Sequence, residues 1–166
     1  MSKRRKLWRE AGQSLVELAV ALPLIALLLG SLAMALGWGM RAYVSLLSDW
    51  ELQNQVRFSM ERITSDLMYA YRFESVGGRL RILIHGADGV PQWIEYVRTE
   101  EDRPRLARNS QPLTGESRLV DIAIADFEFR PVGTRTLFFR IKGENLRTGH
   151  VFELESAVTV ANAEGL

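Results

Sequence analysis

The feature that most constrains this chain is an uncharged apolar run near its N-terminus. The run extends over 23 residues from Leu18 to Met40, and Ser31 is its only clearly polar member. A helix needs roughly 20 such residues to cross the hydrocarbon core of a bilayer. The run therefore predicts a membrane-spanning helix, and the residues from Arg41 onward have the composition of an ordinary soluble domain.

Charge around this run is asymmetric and predicts the orientation of the chain. Within the first ten residues Glu10 alone opposes five basic side chains, which are Lys3, Arg4, Arg5, Lys6 and Arg9. Basic residues that flank a span tend to remain in the cytoplasm. We therefore expect a single-pass protein of the cytoplasmic (inner) membrane, with a cytoplasmic N-terminus and an extracytoplasmic C-terminal domain.

Composition argues against several classes of partner and site. The net charge of +1 gives the chain no general attraction to nucleic acid, so no direct nucleic-acid partner is predicted. The chain has no cysteine, which excludes a disulfide framework and a cysteine-based zinc site. An extracytoplasmic domain of this kind must rely on its core, its anchor or its neighbours.

Glu17 is an acidic residue placed one position before the apolar run. On position alone it can be a glutamate at the level of the lipid headgroups, where a charge costs less than at the bilayer centre. A buried carboxylate instead needs a partner, and no Lys, Arg or His lies between Glu17 and Arg41. That partner would be a neighbouring molecule or a new amino terminus created by cleavage after Gly12. The run is too long for a conventional secretory signal, and a plain anchor leaves Glu17 unexplained.

The residues around Glu17 resemble a known processing signal. An unbroken apolar helix follows the order Gly12, Gln13, the triplet 14–16 (Ser-Leu-Val) and Glu17. This order resembles the prepilin signal of type IV pilins and type II secretion pseudopilins. The resemblance implies that residues 1–12 are a basic leader, which prepilin peptidase removes by cutting between Gly12 and Gln13. It also implies N-methylation at Gln13, where the family usually carries Phe or Met. Glu17, fifth in the mature chain, would neutralise the amino terminus of an adjacent subunit during assembly.

The later part of the chain has a looser similarity to the larger minor subunits, the J-type pseudopilins and W-type minor pilins. The resemblance implies a bacterial minor pilin or pseudopilin of a type IV pilus, a type II secretion system or a DNA-uptake filament. Its implied partners are the prepilin peptidase, the inner-membrane assembly platform, membrane lipid before assembly, and other subunits through the N-terminal helix.

Two alternatives remain open at this point. With Pro23 early in the span, the segment also resembles the pseudopilins of the tight-adherence system. The chain can also be a single-pass anchored accessory or binding domain that does not polymerise. The first residue of the mature protein distinguishes the second alternative from the filament subunits. Gln13 indicates a filament subunit, and Met1 or Ser2 indicates a simple anchor.

The helix is predicted to continue beyond the span, with residues 13–40 as its transmembrane half and residues 41–72 as its amphipathic half. Pro23 lacks an amide hydrogen and is expected to bend it locally. Gly30, Gly37 and Gly39 either allow close helix approach or simply face lipid. The apolar positions of the second half recur at the spacing of one helical face and are Leu52, Val56, Met60, Ile63, Leu67 and Ala70. A solvated surface is assigned to Glu61, Arg62, Ser65 and Asp66.

Gly77-Gly78 is interpreted as the turn that ends the helical part, and after it the apolar period changes from 3.6 to 2. Residues 73–166 are therefore predicted to form an antiparallel sheet of five or six strands. The predicted strands lie near residues 79–84, 92–98, 105–109, 126–131, 136–142 and 150–162. The apolar face of the helix is expected to cover one side of this sheet. The predicted fold is therefore α+β and pilin-like, with a long N-terminal helix packed on an antiparallel sheet.

No constellation of residues predicts catalysis, a cofactor or a metal, so the protein is interpreted as a non-enzyme. His85 and His150 lie beside glycine-containing turns and are assigned to the surface. The acids 100–102 offer oxygen ligands suited to calcium, but a solvated loop is the preferred interpretation. The aromatic residues Trp93, Phe127, Phe129, Phe138 and Phe139 are assigned to the core and the sheet faces. Since Phe138 and Phe139 are adjacent, one of them must point away from the core.

Overall fold

A computed structural model describes residues 3–86, 88–115, 120–133 and 135–160, with side chains from Val16 onward. Within these ranges the 66-residue helix α1 (Lys3–Met68) is followed by strands only. The strands are β1 (Arg72–Val76), β2 (Arg79–His85), β3 (Pro91–Arg98), β4 (Leu106–Arg108), β5 (Gln111–Pro112), β6 (Ile122–Val132), β7 (Thr136–Asn145) and β8 (Val151–Thr159). The predicted α+β fold, with a long N-terminal helix and antiparallel sheets, is confirmed.

The chain divides into two compact units, Met1–Val44 and Ser45–Leu166. The first unit contains the apolar part of α1, where the side chains from Val16 to Tyr43 are exposed. The second unit contains the rest of α1 and both sheets. In the second unit the helix face predicted from the sequence is buried, because each of its six residues, Leu52, Val56, Met60, Ile63, Leu67 and Ala70, is at most 8% exposed.

The prediction of a solvated Asp66 is wrong. Glu61, Arg62 and Ser65 are exposed as expected, but Asp66 is only 7% exposed. Residues three positions apart share a helix face, so Asp66 lies on the same buried face as Ile63. The hydrogen bonds that compensate this buried carboxylate come from sheet residues distant in sequence.

The helix ends earlier than predicted, at Met68 rather than at Arg72, which is instead the first residue of strand β1. Strand β1 pairs with β2 in a hairpin that places Val76 opposite Arg79. Its two-residue loop is Gly77-Gly78, with φ of 57° and 74°. Positive φ at both loop positions gives the twist that such hairpins favour, and glycine adopts it without strain. The Gly-Gly pair is therefore a hairpin turn, not the helix end that the sequence predicted.

The strands form two antiparallel sheets instead of the single meander predicted. Sheet A has five strands in the order β1-β2-β3-β4-β5, and sheet B has three in the order β6-β7-β8. The start of β6 adjoins sheet A, where the Ile124 amide donates to the Pro104 carbonyl oxygen at 2.7 Å. The Arg98 Nε also donates to the Ile124 carbonyl oxygen at 2.7 Å. A register shift between Ile124 and Asp126 follows, within the pairing of β6 with β7 that begins at Ile122.

One hydrophobic core joins α1 to both sheets. Sheet A contributes, among others, Leu80, Ile82 and Ile94, and sheet B contributes Leu137, Phe139 and Ile141. The helix approaches β7 closely at Gly143, where an added Cβ would lie 2.7 Å from Leu52 Cδ1 and 2.8 Å from Val56 Cγ2. Only a residue without a side chain allows the helix to lie this close to the strand.

Candidate functional site

The apolar part of α1 is the strongest candidate for a functional segment. Its large hydrophobic side chains from Val16 to Met40 are between 52% and 71% exposed. Among the described residues, α1 is the one helix whose length and composition fit a membrane crossing. A helix that is hydrophobic all round belongs in a bilayer or in the core of a larger assembly. The span predicted from Leu18 to Met40 lies in this segment.

The single polar residue within the span needs no external partner. The Ser31 hydroxyl donates to the Leu28 carbonyl oxygen at 2.8 Å, within the same turn of the helix. Such a bond to the preceding turn satisfies a hydroxyl inside an apolar helix. Ser31 therefore adds no requirement for a polar neighbour in the lipid or in an assembly.

Small residues form a row along one face of the span. Ala26, Gly30, Ala33 and Gly37 are spaced by four, three and four residues, which keeps them on one side of the helix. A shallow apolar groove of about 410 Å³ lies at Gly30, between Leu27 and Met34. A Cβ added at Gly30 or Gly37 would meet no atom within 4 Å. Packing within the unit therefore does not require these glycines, and both interpretations of them, close helix approach and lipid exposure, remain.

The predicted processing and assembly residues lie on α1, upstream of the span. Gly12 and Gln13 belong to the helical segment and precede Val16, the first residue whose side chain is described. Glu17 is exposed, and the described side chains include no hydrogen-bond or ion-pair partner for it. The pairing of Glu17 with the amino terminus of another subunit thus stays a prediction. Pro23 lies inside α1, which is assigned as helix on both sides of it, and the bend at Pro23 also stays a prediction.

A buried polar network that the sequence analysis missed joins α1 to sheet A. The Asp66 Oδ2 accepts hydrogen bonds from the Tyr96 hydroxyl at 2.6 Å and from the Arg108 Nε at 2.9 Å. Burial and the hydrogen bond with Asp66 raise the pKa of Tyr96 above its ordinary value. Burial by itself lowers the pKa of Arg108, but the hydrogen bond and charge of Asp66 outweigh it and raise that pKa. Tyr96 therefore stays protonated and Arg108 charged, which suits a structural connection.

A second network joins the first turns of α1 in the second unit to the β7–β8 loop. The fully buried Asn145 donates through Nδ2 to Ser48 Oγ and to Asp49 Oδ1, both at 2.7 Å. The Thr148 hydroxyl also donates to Asp49 Oδ1 at 2.7 Å. The Asn145 Oδ1 accepts from the Arg147 amide at 3.0 Å. The hydrogen bonds of the Asn145 side chain thus connect the end of β7 to α1, which suits a structural role.

The remaining candidate residues do not converge on a reactive site. His85 and His150 are exposed, as predicted, and His85 stacks on Tyr71 with ring centroids 4.4 Å apart. The acids 100–102 are exposed, and no group of three potential metal ligands occurs among the described residues. Phe139 is buried while Phe138 faces outward under Arg130, 4.7 Å from the ring centroid, which confirms that the two rings point oppositely.

A larger cleft in the second unit has four charged residues in its lining, which are Arg79, Arg98, Glu100 and Asp126. It has a volume of about 570 Å³ and lies between the β1–β2 turn, the end of β3 and β6. Its two arginines have other contacts, because Arg79 Nη1 donates to Glu95 at 2.9 Å and Arg98 donates to a backbone carbonyl. We assign it no ligand.

Comparison with known proteins adds no family to this description. No protein-family model, no curated protein and no solved structure matches the chain. The functional inference therefore depends on the residues of the chain itself, above all on the segment from Gly12 to Met40.

Proposed function

We propose that the chain is the precursor of a minor pilin or pseudopilin, a subunit of a type IV pilus, type II secretion or DNA-uptake filament. The observation that carries the proposal is the order Gly12, Gln13, Glu17 directly ahead of a 23-residue uncharged span. The exposure of the span along α1 supports it, since an apolar helix surface of this extent requires lipid or other helices as cover.

The leader and the span define the first steps of the proposed pathway. The basic residues 3–9 keep the N-terminus in the cytoplasm while the span enters the bilayer. Prepilin peptidase then cuts between Gly12 and Gln13, which creates a new amino terminus four residues before Glu17. The span holds the mature subunit in the membrane until it joins the filament.

Assembly moves the span from lipid into a bundle of similar helices, and Glu17 determines how neighbouring helices align. A carboxylate enclosed in an apolar bundle costs several kcal/mol unless a positive group compensates it. The amino terminus of an adjacent subunit supplies that group at one axial step only. A shifted neighbour leaves Glu17 unpaired, so Glu17 sets the register of the subunits.

The row of small residues supports close packing of such helices. Ala26, Gly30, Ala33 and Gly37 present little side-chain volume on one face. Helices in a membrane are not driven together by the hydrophobic effect, so they associate through close packing. Small residues at this spacing let the helix backbones approach closely. In the proposed filament this face lies against a neighbouring span, and the groove at Gly30 receives one of its side chains.

We predict that Glu17→Gln blocks assembly but not insertion or processing. The substitution retains the size of the side chain and removes the charge. A hydrogen bond to a charged group contributes about 1.5–3 kcal/mol, so incorporation into filaments should fall by about 10-fold or more. The measurement is the ratio of filament-bound to membrane-bound subunit, in cells that express the chain with a prepilin peptidase and a filament system.

Two controls keep this result interpretable. The N-terminus of the membrane-bound Glu17→Gln protein, read by mass spectrometry, should be Gln13 as in the unmodified chain. Ser31→Ala removes a polar group that is already bonded within the helix and should leave incorporation unchanged. Normal incorporation of the Glu17→Gln chain, or a mature protein that retains Met1 or Ser2, contradicts the proposal. The second result identifies a single-pass anchored domain instead.

A further inference from the structure

We propose that one end of the second unit rests on the interfacial layer of the bilayer while the subunit is anchored in the membrane. The contact is made by the basal patch, defined as Leu46, Leu47 and Trp50 on α1 together with Leu146 in the β7–β8 loop. This inference relies on the membrane insertion that we proposed above, but not on cleavage or filament assembly.

The basal patch is exposed although its members are large and apolar. Leu46 is 70% exposed, Leu47 is 45% exposed and Trp50 is 59% exposed. Trp50 lies four residues after Leu46 and three after Leu47, so the three side chains occupy one face of the helix. The opposite face of the same helix is the one that packs on the sheets, beginning at Ser48 and Leu52.

The β7–β8 loop is held at the same end of the unit. Asn145 and Thr148 donate three hydrogen bonds of 2.7 Å to Ser48 and Asp49, the residues that directly follow Leu47. The Leu146 amide donates to the Asp121 carbonyl oxygen at 2.8 Å. These bonds fix the backbone of a loop residue whose own apolar side chain is 47% exposed. A fixed loop that exposes a leucine indicates a surface that meets an apolar or interfacial partner.

The position of the patch in the chain identifies the bilayer as that partner. Met40 ends the span, and Leu46 follows it by six residues. Six residues cover about 9 Å as a helix and about 20 Å when extended. The start of the second unit is therefore within reach of the headgroup layer. Trp50 suits this layer, because tryptophan is enriched at membrane interfaces.

The charges around the patch permit this contact. The Asp49 Oδ1 accepts hydrogen bonds from Asn145 and Thr148. The Asp121 carboxylate lies 2.8 Å from Arg103 Nη1. Arg147, next to Leu146, is exposed and can face lipid phosphates. The patch thus combines apolar side chains with a basic residue, which is the composition of surfaces that lie in the headgroup region.

The absence of cysteine from the chain makes a direct test feasible. The full chain is placed in lipid nanodiscs at one copy per disc, with a nitroxide label at Leu146→Cys. The matched control is Val132→Cys, which is 52% exposed and lies at the other end of sheet B. We expect the label at residue 146 to be at least about two-fold less accessible to a water-soluble nickel chelate than the control, since interfacial surfaces enter the headgroup region by about 5–10 Å. Trp50→Ser should return the accessibility of the label at residue 146 toward the control value.

Three other outcomes overturn the inference, and they differ in what else they overturn. Equal accessibility at residues 146 and 132, in an inserted chain, overturns the bilayer contact alone. Protection of residue 146 only in discs with two copies identifies a second copy as the occupant of the patch and also overturns it. A label at Leu28→Cys reports insertion, because Leu28 lies inside the span. Water access at residue 28 overturns the membrane step of the proposed function and this inference with it.

Discussion

Asp66 shows how one side chain can connect the helix to a sheet. Its carboxylate lies on the buried face of α1 and accepts hydrogen bonds from Tyr96 on β3 and Arg108 on β4. Arg108 is 23% exposed as a side chain and Asp66 is 9% exposed, so water screens this ion pair only in part. A buried carboxylate that loses such partners pays its desolvation cost in full. The network therefore favours one axial and rotational position of α1 on sheet A.

We predict that Asp66→Ala lowers the free energy of unfolding by about 1.5–3 kcal/mol, the range for hydrogen bonds to charged groups. The substitution leaves the Tyr96 hydroxyl and the Arg108 guanidinium without their shared acceptor. Urea unfolding of the full chain in detergent, followed by near-ultraviolet circular dichroism, measures this difference. The control is Glu61→Ala, which removes an exposed acid of the same helix and should change stability by less than about 0.5 kcal/mol. Equal effects of the two substitutions would contradict a structural role for the network.

At the level of elements, the contact between α1 and β7 depends on a missing side chain. Gly143 pairs with Ile124 immediately before the register shift in β6, and it faces Leu52 and Val56 across the core. A glycine inside a strand lowers strand stability, so its presence needs a reason such as a close backbone approach. Here the reason is the helix, which lies against the strand at this position.

We predict that Gly143→Ala destabilises the fold by about 1–3 kcal/mol, as expected for overpacking of a filled core. The new Cβ would lie within 3 Å of two buried methyl groups, so α1 must shift away from β7. Urea unfolding measures the change, with Lys142→Ala on the outward side of the same strand as control. In a Leu52→Ala background the penalty of Gly143→Ala should shrink, because the closest methyl group is absent. An undiminished penalty there would place its cause elsewhere in β7.

The sequence predicts the elements whose pattern is local and fails where pairing is distant. The helix face from Leu52 to Ala70 and the strands around β2, β3 and β7 follow from periodicity alone. Strand β1 is missed because its two apolar residues, Phe73 and Val76, do not alternate along the strand and because Gly77-Gly78 also resembles a helix end. The separation into two sheets depends on contacts such as Ile124 with Pro104, which no local pattern encodes. The candidate site is the opposite case: the order from Gly12 to Glu17 is a purely local signal, and the fold neither adds to it nor tests it.

At the scale of the whole molecule, α1 contributes to two separate kinds of packing. Its first part exposes apolar side chains along the span, and its second part supplies one side of the core in the unit Ser45–Leu166. Burial of the five large apolar residues on α1 stabilises the folded state by about 1.5–3 kcal/mol for each residue, and these values are upper bounds. Their sum is comparable to the whole stability of a domain, about 5–15 kcal/mol. The two sheets therefore need the second part of α1 to fold, whereas they do not need the span.

We predict from this that a chain starting at Ser45 folds and a chain starting at Tyr71 does not. The longer fragment keeps the helix face that covers Leu80 and Leu137, and it should unfold in one cooperative urea transition. The shorter fragment exposes the inner faces of both sheets to water and should aggregate or show no near-ultraviolet circular dichroism. The Asp66→Ala substitution, placed in the longer fragment, should reproduce the destabilisation that it causes in the full chain. A shorter fragment with the same unfolding midpoint as the longer one would mean that the sheets form a core without the helix.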